Sequence, residues 1–375
     1  ILYSIMPKNE PIKQHYIPRS YLKNFGVEGK NGNYFVDAYK LEDEFLLEYI
    51  STKSICFKKN LYTIPNAEVD KKYALELHYA EHVDSEFPKI YALLVDEKTI
   101  VLTPEQKRQV LYVCLSLYFR TPKVLNHQNA FTDQILDRML LYADANGDVK
   151  FSFEEEKYEF NKKDIDKVRH EFKERNRLKF IVNHLERWKE FVDFKYDCTI
   201  NVHQINDANA PLITCDNPLS IRGMNSTRFE GLFNPDSVIT LPLDTKYYLE
   251  IFPNNIADGQ TRINRMVHDR DYVFTTNAII QSNAEKLIIG KPGTIERHFE
   301  IQSSYEEDDN AERFVEKAKF KLEEMQKFHK LCETSGFPSE KATAQLKTML
   351  AHEHFKNENQ LLQLKRLLIV LGKWK

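Results

Sequence analysis

The chain has 375 residues, 42% hydrophobic and 29% charged, the balance of a globular protein with a substantial core. Gly 11 and Pro 14 exclude a collagenous or low-complexity chain, and 24 Phe with 19 Tyr exclude disorder, since aromatic burial offsets chain entropy. Lys+Arg 53 against Asp+Glu 56 leaves a formal charge of -3, so any attraction to nucleic acid must come from a local patch rather than a global field.

Residues 1–11 read as an N-terminal extension without the layout of a signal peptide, with Met6 as the natural start. Residues 33–50 predict a hairpin, in which Tyr34, Val36 and Ala38 alternate and an apolar run follows a charged turn. Residues 70–95 predict a helix from Tyr73, Leu77, Ala80, Asp84, Phe87, Tyr91 and Leu94, mostly three or four apart. Thr103, Pro104 and Gln106 mark the capped start of the next helix, which Pro122 ends or kinks after Arg120. Asn146-Gly147-Asp148 predicts a tight turn into a strand carrying Val149, Phe151 and Phe153. A long charged helix is expected at 162–193, then four β-like runs at 198–202, 211–214, 238–241 and 247–251. Helix returns at 260–290 and again from 305, broken by Gly336-Phe337-Pro338. The class is α+β, mostly helical with a central antiparallel sheet of short strands. The domain reading is a main domain at 12–300 and a C-terminal helical segment at 301–375.

No apolar run approaches the roughly 18 residues of a membrane span. Cys56, Cys114, Cys198, Cys215 and Cys332 are odd in number and form no CxxC pair, which points to a reducing cytoplasm rather than a disulfide or zinc framework. His78-Tyr79-Ala80-Glu81-His82 fits the H-x-x-E-H pattern of inverted zinc peptidases, with both imidazoles on one helix face. The plainer reading is a surface histidine pair. Asp144 to Glu155 resembles a calcium loop, but Val149 stands where the sharp turn needs Gly, so a hairpin turn is preferred. Arg169, Lys173 and Arg177 belong to a basic run on the long helix that suits a phosphate backbone, or else a solvated face with i,i+4 ion pairs.

Three segments lock polar residues into rigid or apolar surroundings. Gln14 to Leu22 sets His15 four residues before Arg19, beside Tyr16 and Tyr21. Arg120-Thr121-Pro122 puts a cation at the end of an apolar helix, where capping of carbonyls is the bland role. Leu212 to Leu219 places Asp216 at the end of a buried-looking strand, in a turn set by Asn217-Pro218.

These motifs, His15-Tyr16-Ile17-Pro18-Arg19, Arg120-Thr121-Pro122, Thr214-Cys215-Asp216-Asn217-Pro218 and Leu241-Pro242-Leu243-Asp244, resemble in their order the bacterial domain of unknown function 4238 family. Cys215 stands where that family usually has Ser, and Asn277 with Leu287-Ile288-Ile289-Gly290 fits its late helix. The resemblance spans about 12–290. It implies no activity, only that His15, Arg19, Arg120, Asp216 and Asn217 sit in family motifs.

The leading expectation is a cytoplasmic phosphodiester hydrolase, a nuclease serving antiphage defence. His15 is its general acid or base, and Arg19 and Arg120 clamp phosphate oxygens. Asp216 holds Mg²⁺ or orients His15, with Glu81 as a second carboxylate. Tyr16, Asn217, Arg169, Lys173 and Arg177 bind substrate. The competing class is a non-enzymatic ligand-binding or sensor module in which the same groups form a structural polar network. A zinc metallopeptidase at His78, Glu81 and His82 is the third. The expected partners are nucleic acid, no membrane, and a second copy or partner protein through the C-terminal helices.

Overall fold

The computed structural model describes residues 12–65, 67–153, 156–223, 231–253, 261–268 and 270–306. The readings for 1–11, for the acidic residues 154–155 and for the tail beyond 306 lie outside them. The chain divides at residue 301, and the fold below is that of its first unit.

In chain order come β1 (Lys13–His15), α1 (Arg19–Leu22), β2 (Val27–Glu28), β3 (Tyr34–Lys40), β4 (Phe45–Ser51) and β5 (Phe57–Lys59). Then follow α2 (Val69–Lys72), α3 (Ala74–Tyr79), α4 (Phe87–Val95), α5 (Pro104–Phe119), α6 (Lys123–Leu140), β6 (Asp148–Phe153), β7 (Glu156–Asn161) and α7 (Ile165–Phe194). The last stretch holds β8 (Thr199–Ile205), β9 (Thr214–Cys215), β10 (Ser220–Gly223), β11 (Ser237–Pro242), β12 (Tyr247–Phe252), β13 (Ile263–His268), α8 (Arg270–Asn283), β14 (Leu287–Gly290) and α9 (Thr294–Glu306). Several small sheets among helices make the fold α+β.

One five-stranded sheet runs β10-β11-β12-β8-β13, antiparallel except for the parallel β8–β13 pair. One face, with Ile200, Val202, Ile239, Leu241, Leu249 and Ile251, belongs to the main apolar core together with Val110, Leu111, Cys114 and Leu117 of α5 and Trp188 of α7. Strand alternation turns Asn201, His203, Arg222, Thr240, Tyr248 and Glu250 to the other face. A second sheet runs β2-β3-β14-β9 with β4 on β3, and β1–β5 and β6–β7 are two-stranded ribbons.

The 33–50 hairpin and the helix from Pro104 form as expected, the latter with the full Thr103–Gln106 capping box. Asp144 accepts from the main-chain N–H groups of Asn146 and Asp148, both at 2.9 Å, making the turn that feeds β6. α5 ends at Phe119 with Arg120 as its C-cap, as Pro122 predicts, and Pro122 then stands at the N-cap of α6, a helix not read from the sequence. Two expectations are corrected. The 70–95 helix is broken into α2, α3, a π-helical turn at Ala80–Asp84 and α4, because Pro88 near the start of α4 cannot donate to a preceding turn. Within 260–290, β13 and β14 flank α8, so Leu287–Gly290 is strand rather than late helix, held by pairing with β3 and β9. Among the described residues no helix is long and apolar enough to cross a membrane.

Candidate functional site

The β1–β5 ribbon pairs Lys13 with Lys59 and His15 with Phe57, which puts these four side chains on one face. Gln14 points the other way and is fully buried. It donates to Thr63 Oγ1 at 2.9 Å and accepts from the Tyr62 N–H at 2.6 Å, so the ribbon is pinned to the body. Lys13 Nζ lies 4.7 Å from the centre of the Phe57 ring, and the His15 ring lies 5.7 Å from it. Arg19, Lys53 and Lys59 are exposed around this face and have no ion-pair partner among the described residues. Sequence reasoning singled out Arg19 but missed Lys13, Lys53 and Lys59. Their charge was visible, but only strand pairing sets Lys13 beside Lys59.

His15 is half-buried. Its ring lies near the Lys53 main chain, and Nε2 is buried without a partner among the described residues. Burial first, then the Arg19 charge, lower its pKa from 6.5 to about 4, so the ring is neutral near pH 7.

Behind His15 lies Arg120, the last residue of the α5 turn and only 1% exposed. It donates from Nη1 to Asp84 at 2.5 Å and from Nη2 to the His15 carbonyl at 2.6 Å, and lies 4.3 Å over the Tyr79 ring. Its own carbonyl accepts from Tyr62 Oη, while Tyr79 Oη meets His184 Nε2. Asp84 ends the π-helical turn, a distortion that often marks sites. Glu76, one turn earlier, has Oε2 buried without a partner among the described residues. Two carboxylates face one guanidinium and Asp84 takes it, so Glu76 is the group left to hold a proton. Burial, eased by Arg120 and reinforced by Asp84, raises its pKa to about 7.

Thr121 carries the site to the Asn-Pro turn by donating to Asn217 Oδ1 at 3.1 Å. Asp216 is 4% exposed, and its two oxygens accept from the N–H groups of Glu285 at 2.9 Å and Lys286 at 3.0 Å. Burial raises its pKa while these bonds oppose the rise. Asn217 donates to the Asn283 carbonyl, and Asn283 donates back to the carbonyls of Asn217 and Leu219. Tyr16 is buried between, bonded to Cys56 and close enough to feel the Asp216 charge. His15, Tyr16, Arg19, Arg120, Asp216 and Asn217, far apart in the chain, thus belong to one connected region.

The other expected residues sit elsewhere. Arg169 pairs with Asp133 and Asp137, Lys173 with Asp133, and Arg177 with Glu174, so the basic run on α7 is spent on tying α7 to α6 and on itself. Arg177 also donates to the Thr63 carbonyl at 2.8 Å, behind the ribbon rather than on its basic face. Glu81 and His82 are exposed, and His78 Nε2 is bonded to Tyr112 Oη at 2.7 Å. Among the described residues no three His, Cys, Asp or Glu side chains are placed to hold one metal ion.

A family model described as protein of unknown function (DUF4238) matches residues 13–294. No curated protein and no solved structure matches the chain.

Proposed function

The chain belongs to the DUF4238 family, whose description assigns no activity, and from its geometry we propose that it is a phosphodiester hydrolase acting on nucleic acid. The observation that carries this reading is the half-buried His15 ring, set in a ribbon whose same face carries Lys13 and Lys59. The His15 imidazole takes a proton from the attacking water as its oxygen bonds to phosphorus. A proton from solvent goes to the leaving oxygen as the P–O bond breaks. Arg19 binds the non-bridging oxygens, and Lys13, Lys53 and Lys59 track the backbone by charge. Phe57 offers a ring to an unstacked base. Arg120 holds the His15 strand rather than the substrate. Asp216 has each oxygen on a main-chain N–H, so Mg²⁺ enters as a variable of the assay and not as a required ligand set.

The test is cleavage of plasmid DNA, total RNA and tRNA with Mg²⁺ or with EDTA. Wild type should cleave at least one of them, and His15→Ala should lose on the order of 100-fold or more. Lys13→Ala and Lys59→Ala should weaken binding across sequences and flatten the salt dependence by about one charge each. If wild type and His15→Ala are equally inert on all three, the reading is dropped. Its proposed setting is defence against phage in the cytoplasm. Cells carrying wild type should then give fewer plaques than cells carrying His15→Ala, and equal plaquing removes that setting.

A second reading, a non-enzymatic binding module, is favoured by the way Arg120 and Asp216 are spent on the protein's own groups. It predicts nucleic acid binding that His15→Ala leaves intact, with no product on any of the three substrates.

A further inference from the structure

The buried Arg120 guanidinium is shared unevenly among its neighbours. Nη1 is spent on Asp84 at 2.5 Å and Nη2 on the His15 carbonyl, at the end of β1, at 2.6 Å. Nε is buried without a partner among the described residues, and so is Oε2 of Glu76 on α3. The charged and titratable groups that Glu76 faces are Arg120 at the end of α5, Asp84 in the π-helical turn and Tyr62 after β5. Two imidazoles lie beside the same guanidinium, His15 and, bonded to Tyr79, His184 of α7. Burial first lowers them to about 4 and about 3, so both keep one charge state between about pH 5.5 and about pH 7.5.

As the acid, Glu76 makes no claim on the guanidinium, and Asp84 and the His15 carbonyl divide it. A carboxylate in the same place is a buried charge that must find a donor. Nε is the one direction of the Arg120 fork still unspent. The fork is planar and rigid, so turning Nε to a new acceptor swings Nη1 and Nη2 with it. Burial raises the Glu76 pKa to about 7, against Arg120 and with Asp84. An arrangement that pairs or hydrates the carboxylate returns it towards 4.5. That arrangement therefore gains on the observed one as pH rises from 4.5 to 7, and levels off above 7.

We propose that Glu76 and Asp84 compete for Arg120, and that ionisation of Glu76 draws the guanidinium off the His15 carbonyl and frees the His15 strand. This switch does not depend on the hydrolase reading, and its test uses no activity.

Amide hydrogen exchange of the full chain, corrected for intrinsic chemistry, is read at Gln14 to Tyr16 relative to Val110 to Leu117 of α5, which cancels any general loosening. That ratio should rise about tenfold from about pH 5.5 to about pH 7.5. Glu76→Gln, which copies the neutral acid, should hold it nearly constant. Glu76→Met is the alternate variant if the first does not fold. A constant ratio in wild type overturns the proposal, and so does an equal rise in whichever variant folds. Carbon-13 spectra of the glutamate carboxyls give an independent reading. A Glu76 signal that titrates near 4.5 would also overturn it.

Discussion

Arg120 and Glu76 divide the labour of one buried site by their partners. Removing one member of a buried ion pair costs about 3–5 kcal/mol when the other is left uncompensated. Asp84 is 33% exposed, so Arg120→Met should cost about 2–3 kcal/mol in urea unfolding. A change under about 0.5 kcal/mol would mean that the guanidinium does not hold the His15 strand. Glu76 has a folded pKa of about 7 against an ordinary 4.5, so its contribution is full below 4.5 and is lost as pH rises through 7. Glu76→Gln should therefore be more stable than wild type at about pH 8 and similar to it at about pH 4, by denaturant midpoint. The opposite order would show that the carboxylate is ionised throughout. Asp216→Asn turns an amide N–H towards a main-chain donor and should cost about 1–3 kcal/mol. His15 and Arg19 were legible as chemistry because His and Arg beside a rigid Ile-Pro are hard to explain as filler. Glu76 was not, because nothing local sets its buried environment apart from that of any other helical glutamate.

At the scale of elements, local signals succeeded where they were short-range and failed where partners were distant. The Thr103 cap and Gln106 form their box through bonds three residues apart, so the start of α5 could be read directly. Thr103→Ala should lower stability by about 1 kcal/mol, read by thermal melting, whereas an unchanged melting temperature would show that tertiary packing alone fixes that end. The basic run on α7 was legible as charge, but its carboxylate partners lie on α6, which brings them across an interhelix contact. β13 was hidden because its alternation is weak and its strand character comes from pairing in parallel with β8. The polar alternation of β8 and β12, Asn201 with His203 and Tyr248 with Glu250, was a legible sign of a second interior face.

For the whole molecule, several imidazoles are held neutral in the interior. Burial lowers the pKa of His184 to about 3 and that of His298 to about 4, alongside His15 at about 4. Folded values below the unfolded 6.5 mean that this stability is present above 6.5 and is lost as pH falls towards 4. The denaturant midpoint should therefore drop steadily below about pH 6.5, and a flat profile to pH 4 would contradict neutral burial of these rings. By itself the sequence determined the α+β class, the capped helix, the hairpin and the residues with chemistry worth watching, because periodicity, caps and turns act over a few positions. Only the tertiary structure decided that His15 shares a face with Lys13 and Lys59 and that Arg120 and Asp216 are spent internally. Those facts depend on strand register and on which distant charges are buried together, and neither is encoded within any one stretch of chain.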